Sequence, residues 1–408
     1  MNKWFDIRIL ILALLTLLVA GCSSDYDMPE VKEKPKFVMY IYLPEQEAMT
    51  RGEKDIDADD ANENVIKSVQ VWVFPWKKVG NELVETTFEE GECPDNRTSI
   101  GSLYVNLDNL SLTGGVKEVA FYGIPEDFKT KYPNLDVYAV VNAASAGISG
   151  LDATTTKAQL EEKQITGTNF GIVGTSSKPL VTSVDPTKGL PMSGYVKQAP
   201  VSKLNETYSI TNVDVKRAVS KIRFVFSRAT NITASVTELK LDGHVVYSDG
   251  HTYQYVDGNG NVIPESEYLF SGIHDGGDVS STFLHVINFN VPATVPSHDN
   301  PWQLRWEDDE TRQEWEDKIN LAIKEGTAVE CGRAYLRESP YRLTGTIKYK
   351  FQQEGESELS HSARFTMVDE NEFLRNHSWT IYAYFSEGGV VFEVDGWEKQ
   401  QVTFIPFI

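Results

Sequence analysis

The chain has 408 residues, with 59 acidic against 38 basic side chains and a formal net charge of -21. That length accommodates two domains of ordinary size, each with its own core. The acidic balance excludes nucleic acid as a partner and electrostatic binding to anionic lipid, because both need basic patches. Its plain reading is solubility on a crowded surface.

The first segment has the form of an export signal. Lys3 and Arg8 make a positive start, and residues 9–20 form an apolar stretch short for a membrane span. The run ILILALLTLLVAGC closes on Cys22. Ala20 and Gly21 are small enough to admit a signal peptidase, and the Cys22 thiol can carry a diacylglyceryl group. The expectation is a lipoprotein whose mature chain starts at Cys22, outside the cytoplasm, tethered to the outer membrane by its acyl chains. Residues 1–21 would be removed.

A polar tether follows, and then residues 37–43 (FVMYIYL) have strand length and composition. Residues 45–64 are polar and without periodicity, which reads as an exposed loop. Structure resumes at VIKSVQVWVF, where Val69, Val71 and Val73 alternate with other residues as in a half-buried strand. Further strands are expected at 103–107, 119–124, 136–143, 214–227, 235–243 and 285–291, separated by Gly, Asn, Asp and Pro clusters. Residues 257–261 (DGNGN) carry a hairpin-turn signal. Helices are expected at 154–164, behind a threonine run that could cap it, and at 310–326, which ends on a glycine. The spacing describes an all-β chain of β-sandwiches with small helical insertions. A domain boundary is expected between 205 and 206, giving an N-terminal sandwich at 52–205 and a C-terminal one at 206–408.

Catalytic motifs are missing: there is no GxSxG, HExxH, P-loop, GxGxxG or CxxC. The expectation is a protein that is not an enzyme and holds no cofactor or metal. Asp55, Asp57, Asp59 and Asp60 resemble a calcium loop but fail its template, with Asp60 at the glycine position and Ile66 at the glutamate position. Cys93 and Cys331 could pair in an exported protein, and sequence does not decide whether they do. Trp302, Trp306 and Trp315 could form an aromatic platform for a glycan, although packing is the commoner use of tryptophan.

Several segments together resemble the fimbrillins of the type V pili of Bacteroidetes. They are CSSDYD at the lipobox, FVMYIYL, TRG, VIKSVQVWVF, DVYAVVNA, LPMSG, VKRAVSKIRFVF, CGRAYLRESPYRLTGTIKYKF, RNHSWTIYAYF and VDGW. Their order spans nearly the whole mature chain. One departure is Tyr335-Leu-Arg-Glu338-Ser339, where relatives carry Tyr-x-x-Glu-Asn. The resemblance implies two transthyretin-like sandwich domains and a cut by a trypsin-like protease between Arg51 and Gly52. Residues 22–51 would then be a lipidated propeptide that carries the first strand. The cut would free that strand, and a strand from another fimbrial subunit would fill the vacated edge. The C-terminal stretches 390–394 and 401–408 are the expected donors. The implied role is a structural subunit of a surface fimbria that supports adhesion. The alternatives are a tip or accessory subunit, or a surface glycan-binding lipoprotein.

Overall fold

A computed structural model describes residues 36–43, 65–144, 147–166, 172–175, 178–181, 189–218, 220–242, 266–270, 287–288, 291, 294–307, 310–336, 343–368, 375–394 and 401–406. Cys22, Arg51, Gly52, the acidic run 55–60 and the turn signal at 257–261 lie outside these residues, as does most of the strand expected at 285–291.

The strands up to residue 217 are β1 (Lys36–Leu43), β2 (Val65–Ile66), β3 (Val69–Val79), β4 (Glu82–Glu85), β5 (Leu103–Leu107), β6 (Leu112–Thr113), β7 (Gly115–Tyr122), β8 (Asn134–Val141), β9 (Gln164–Thr166), β10 (Ile172–Thr175), β11 (Lys178–Val181), β12 (Met192–Pro200), β13 (Ser202–Leu204), β14 (Thr207–Ser209), β15 (Val213–Asp214) and β16 (Lys216–Arg217). Those that follow are β17 (Ser220–Arg228), β18 (Ile232–Asp242), β19 (Ser266–Tyr268), β20 (Ile287–Asn288), β21 (Val329–Leu336), β22 (Leu343–Gln353), β23 (Leu359–Val368), β24 (Ser378–Ser386), β25 (Gly389–Val394) and β26 (Gln401–Pro406). The helices are α1 (Phe128–Lys131), α2 (Lys157–Glu161) and α3 (Arg312–Glu325), with a 3-10 turn at Pro301–Leu304. The chain is all-β, with small helical pieces.

Two sheets enclose the first core. One has the order β13-β14-β1-β15, with β7 on the other edge of β1. The second has the order β16-β12-β8-β3-β4, with β5 also pairing β3. Val69, Val71 and Val73 of β3 are buried as expected, but so are Gln70 and Trp72 between them. The strand is covered on both faces because the chain just before α2 lies over it. The Trp72 indole donates to the Asp152 carbonyl (2.9 Å), and the Gln70 amide donates to the Leu151 carbonyl (3.2 Å).

A second core lies between the sheets β10-β11-β20-β18-β22-β23 and β21-β17-β24-β25-β26. Strands β17 and β24 run parallel at its centre, with Ile222 beside Trp379 and Phe224 beside Ile381. Both are buried on both faces, as parallel strands commonly are. Their inward residues fill the core. Their outward residues meet α3, where Val225, Tyr382 and Tyr384 pack with Trp315, Ile319 and Ala322.

The stretch 214–227, expected as one strand, is three. β15 and β16 belong to the first pair of sheets, and β17 opens the second. No Gly, Pro or Asn interrupts this stretch, and nothing in it says which sheet each piece joins. The Asp214 carbonyl lies so close over Gly194 of β12 that a β-carbon there would sit 2.1 Å from it. Glycine permits this approach.

Segments also cross between the halves. Leu269 and Phe270 belong to the first core although they lie deep in the second half of the chain. β19 pairs with β9, and the Leu269 amide donates to the Lys163 carbonyl (2.7 Å). The Phe270 ring meets Tyr138 edge-on at 5.3 Å. The Leu269 carbonyl accepts from Ser193 Oγ and from Arg375 Nη1 (3.0 Å). Next to it, Asn376 Oδ1 accepts from the Arg217 amide (3.1 Å). In the other direction, β10 and β11 join the second pair of sheets, through Leu180 beside Asn288.

A candidate assembly groove

β1 is an interior strand. Along one edge it pairs antiparallel with β7 over its whole length, from Lys36 opposite Tyr122 to Leu43 opposite Gly115. Along the other edge it pairs parallel with β14 and then with β15. The Lys36 amide donates to the Glu206 carbonyl (3.1 Å), and the Val215 amide donates to the Tyr42 carbonyl (2.9 Å). The parallel seam is uneven. Between Val38–Ser209 and Ile41–Val213, β1 advances three residues while its partner advances four. That is the geometry of a bulge.

The side chains of β1 alternate between two faces, although Val38, on the outer face, is buried as well. Phe37, Met39, Ile41 and Leu43 point into the core and are buried. Tyr40 and Tyr42 lie on the outer face, 40% and 41% exposed. Phe37 lies in an aromatic cluster. Its ring is 5.9 Å from Phe121 of β7 and 5.8 Å from Phe128 of α1. Phe128 in turn packs against Phe88 (5.8 Å), Tyr132 (5.5 Å) and Tyr208 of β14 (5.4 Å). Buried Glu92 braces this cluster from behind. It accepts from the Tyr132 hydroxyl (2.9 Å) and from Lys131 Nζ (3.1 Å).

β1 stands beside the point where the chain re-enters the fold. Leu43 is opposite Gly115, while Val65, at the far end of residues 44–64, is opposite Thr113. Those two partners are two residues apart on the same stretch of chain. Asn142 fixes the re-entry. Its side chain donates to the carbonyls of Val65 (2.8 Å) and Leu190 (2.9 Å) and accepts from the Lys67 amide (2.8 Å). Asn142 has φ 60°, a left-handed conformation that Asn tolerates better than most residues.

The expected donor stretches lie in the other half of the molecule. β25 pairs antiparallel with β24, and β26 pairs antiparallel with β25 from Gly389–Pro406 to Val394–Gln401. β26 is the last strand of its sheet. The structure therefore brings β1 and the strands that line its edges together, and it keeps the C-terminal hairpin separate, folded on its own sheet.

The remaining candidates resolve simply. Cys93 and Cys331 are both free and buried, one in each principal core. Burial, with Glu92 beside it, pushes the Cys93 thiol up to about 12. Trp315 is fully buried and donates to the Leu304 carbonyl (2.8 Å). Trp306 packs against it at a tilt, with ring centroids 5.4 Å apart, and donates to the Glu310 carbonyl (3.0 Å). Of Trp302, Trp306 and Trp315, Trp302 alone is largely exposed. Among the described residues, no group of three His, Cys, Asp or Glu side chains is placed to hold a metal ion.

Sequence reasoning found β1 and part of β7 but not which residues of β1 face inward, nor the other walls of the groove. β14 (TYS) and β15 (VD) are too short and polar to give a strand signal. Phe88 and Phe128 sit in turn-rich segments with no period, and nothing in their spacing points to Phe37.

Solved structures similar to the chain include adhesion and fimbrial proteins of Bacteroidetes. A candidate cell adhesion protein of Parabacteroides distasonis matches 90% of this chain and 98% of its own, at 14% identity and TM-score 0.46. A fimbrial assembly protein of the same species matches 92% and 100%, at 13% identity and TM-score 0.39. A C-terminally truncated tip fimbrial protein of Porphyromonas gingivalis matches 91% and 100%, at 11% identity and TM-score 0.37. At these values the likeness carries no functional argument. No protein-family model and no curated protein matches the chain.

Proposed function

We propose that the chain is a structural subunit of a surface fimbria that assembles by exchange of β1. In this reading the chain is exported as an outer-membrane lipoprotein carrying lipid on Cys22. A trypsin-like protease cuts between Arg51 and Gly52. β1 then leaves with residues 22–51, and a strand from a neighbouring subunit takes its place. The donor is the C-terminal stretch of β25 and β26. Head-to-tail exchange of this kind does not close on itself, so it builds a filament.

One observation carries the reading. β1 is paired on both edges and buried on its inner face, yet the chain connects it to the other described residues through 44–64 alone. Removing such a strand exposes two unpaired backbone edges and four apolar positions. Refilling them stabilises the complex by about 1.5–3 kcal/mol for each side chain fully buried. The motif resemblance gives the same direction. The division into an N-terminal and a C-terminal sandwich domain is part of the proposal. The glycan-binding alternative would rest on Trp302, since Trp306 and Trp315 are engaged internally.

The deciding experiment is N-terminal sequencing of filaments from the native and Arg51→Ala chains. The expected native N-terminus is Gly52. The variant is expected to remain a lipidated, folded monomer. Filaments formed by uncut Arg51→Ala chains would overturn the proposal.

A further inference from the structure

The groove holds its two ends differently. At the Leu43 end, the inward side chain faces Gly115, which offers no side chain across the strand. At the Lys36 end, Phe37 is enclosed by rings from three separate places: Phe121 on β7, Phe128 on α1 and, behind Phe128, Tyr208 on β14. Between the two ends lies the bulged part of the parallel seam, at Met39 and Tyr40.

We propose that Phe37 is a latch that keeps β1 seated after residues 44–64 are cut and makes its departure directional. This rests on the exchange reading above and names the regulation of that site. The cut lies beyond Leu43, so the new free end is the one held by the aliphatic side chains of Ile41 and Leu43 and lies away from the aromatic cluster. Strand ends fray first where few buried contacts hold them. An incoming strand can therefore enter beside Gly115, pass the bulge and reach the aromatic cluster last. The opposite end cannot fray without withdrawing the Phe37 ring from the cluster. Buried aromatic anchors of this kind dominate the energetics of most interfaces. Cutting and release are thus separate events: a cut subunit stays plugged until an invading strand reaches the Phe37 pocket. A pull on the N-terminal side of β1 loads the latch directly, so such tension does not begin the exchange from the Leu43 end.

The test uses the full chain cut at Arg51 under limiting protease. Departure of the fragment that carries β1 is followed by native mass spectrometry, with excess synthetic peptide of residues 36–43 as the competitor. Native, Phe37→Ala, Phe37→Leu and Met39→Ala chains are compared. Phe37→Ala should speed departure by about a hundredfold to a thousandfold, from the usual effect of truncating a buried aromatic. Phe37→Leu should give an intermediate rate and serves if the alanine variant does not fold. Met39→Ala, which also empties a fully buried position, should speed departure less than Phe37→Ala does. If the Phe37 variants depart no faster than Met39→Ala, the latch is wrong and the exchange reading stands. If β1 leaves in none of the cut chains, the exchange reading falls and takes the latch with it.

Discussion

Arg223 is a full charge placed in a strand that is buried on both faces. It is tolerated because its partners are buried with it. Its guanidinium donates to Thr380 Oγ1 (2.9 Å), Asn320 Oδ1 (2.9 Å) and Glu316, and lies 3.5 Å from Glu330. Glu316 in turn accepts from Thr380 Oγ1 (2.5 Å). These contacts tie α3 to three strands of one sheet. Buried pairs gain little over apolar packing, but breaking one leaves a charge stranded. Arg223→Ala should therefore destabilise the protein by about 3–5 kcal/mol. The double change of Arg223→Met and Glu316→Leu should recover much of that loss. Denaturant midpoints measure both, and equal losses in the single and double variants would contradict the account.

The helices and the strands of this molecule differ in how far local sequence specifies them. α3 is set by its ends. Thr311 and Glu314 form a reciprocal capping box, and Gly326 closes the helix in the left-handed region at φ 75°. α2 has the same arrangement with Thr156 and Gln159. Thr311→Ala should lower stability by about 1 kcal/mol. Gly326→Ala should also destabilise, by about 1 kcal/mol. No atom lies within 4 Å of the β-carbon it would add, so any loss there is backbone strain. Thermal melts of the two variants check these values, and an unchanged Gly326→Ala protein would show that the turn relaxes. Such caps are short-range chemistry, which is why both helices were legible in the sequence. The class of the fold was legible too, through the alternation in β3 and the β-branched and aromatic content of β1 and β17. Pairing was not. Whether residue 214 or residue 222 joins the first or the second pair of sheets depends on neighbours far away in sequence. The walls of the β1 groove come from β7, β14, β15 and α1, and no local signal links them.

At the scale of the whole molecule, the two cores are not independent. Phe270, from the second half, is fully buried in the first core, and the carbonyl of Leu269 is held by Ser193 of the first half and Arg375 of the second. The full chain should consequently unfold in one cooperative transition. Phe270→Ala should separate it into two, seen by calorimetry as a second endotherm. Two resolved transitions in the native chain would refute this coupling. The placement of Leu43 and Val65 has a different consequence. Their partners, Gly115 and Thr113, lie almost side by side, so residues 44–64 bridge a short gap with a long chain. While intact, that connection keeps β1 and its groove in one molecule, so reseating of the strand is intramolecular. A cut within it breaks none of the contacts described for β1. It turns a unimolecular equilibrium into a bimolecular one, and occupancy of the groove then depends on dilution and on the supply of competing strands.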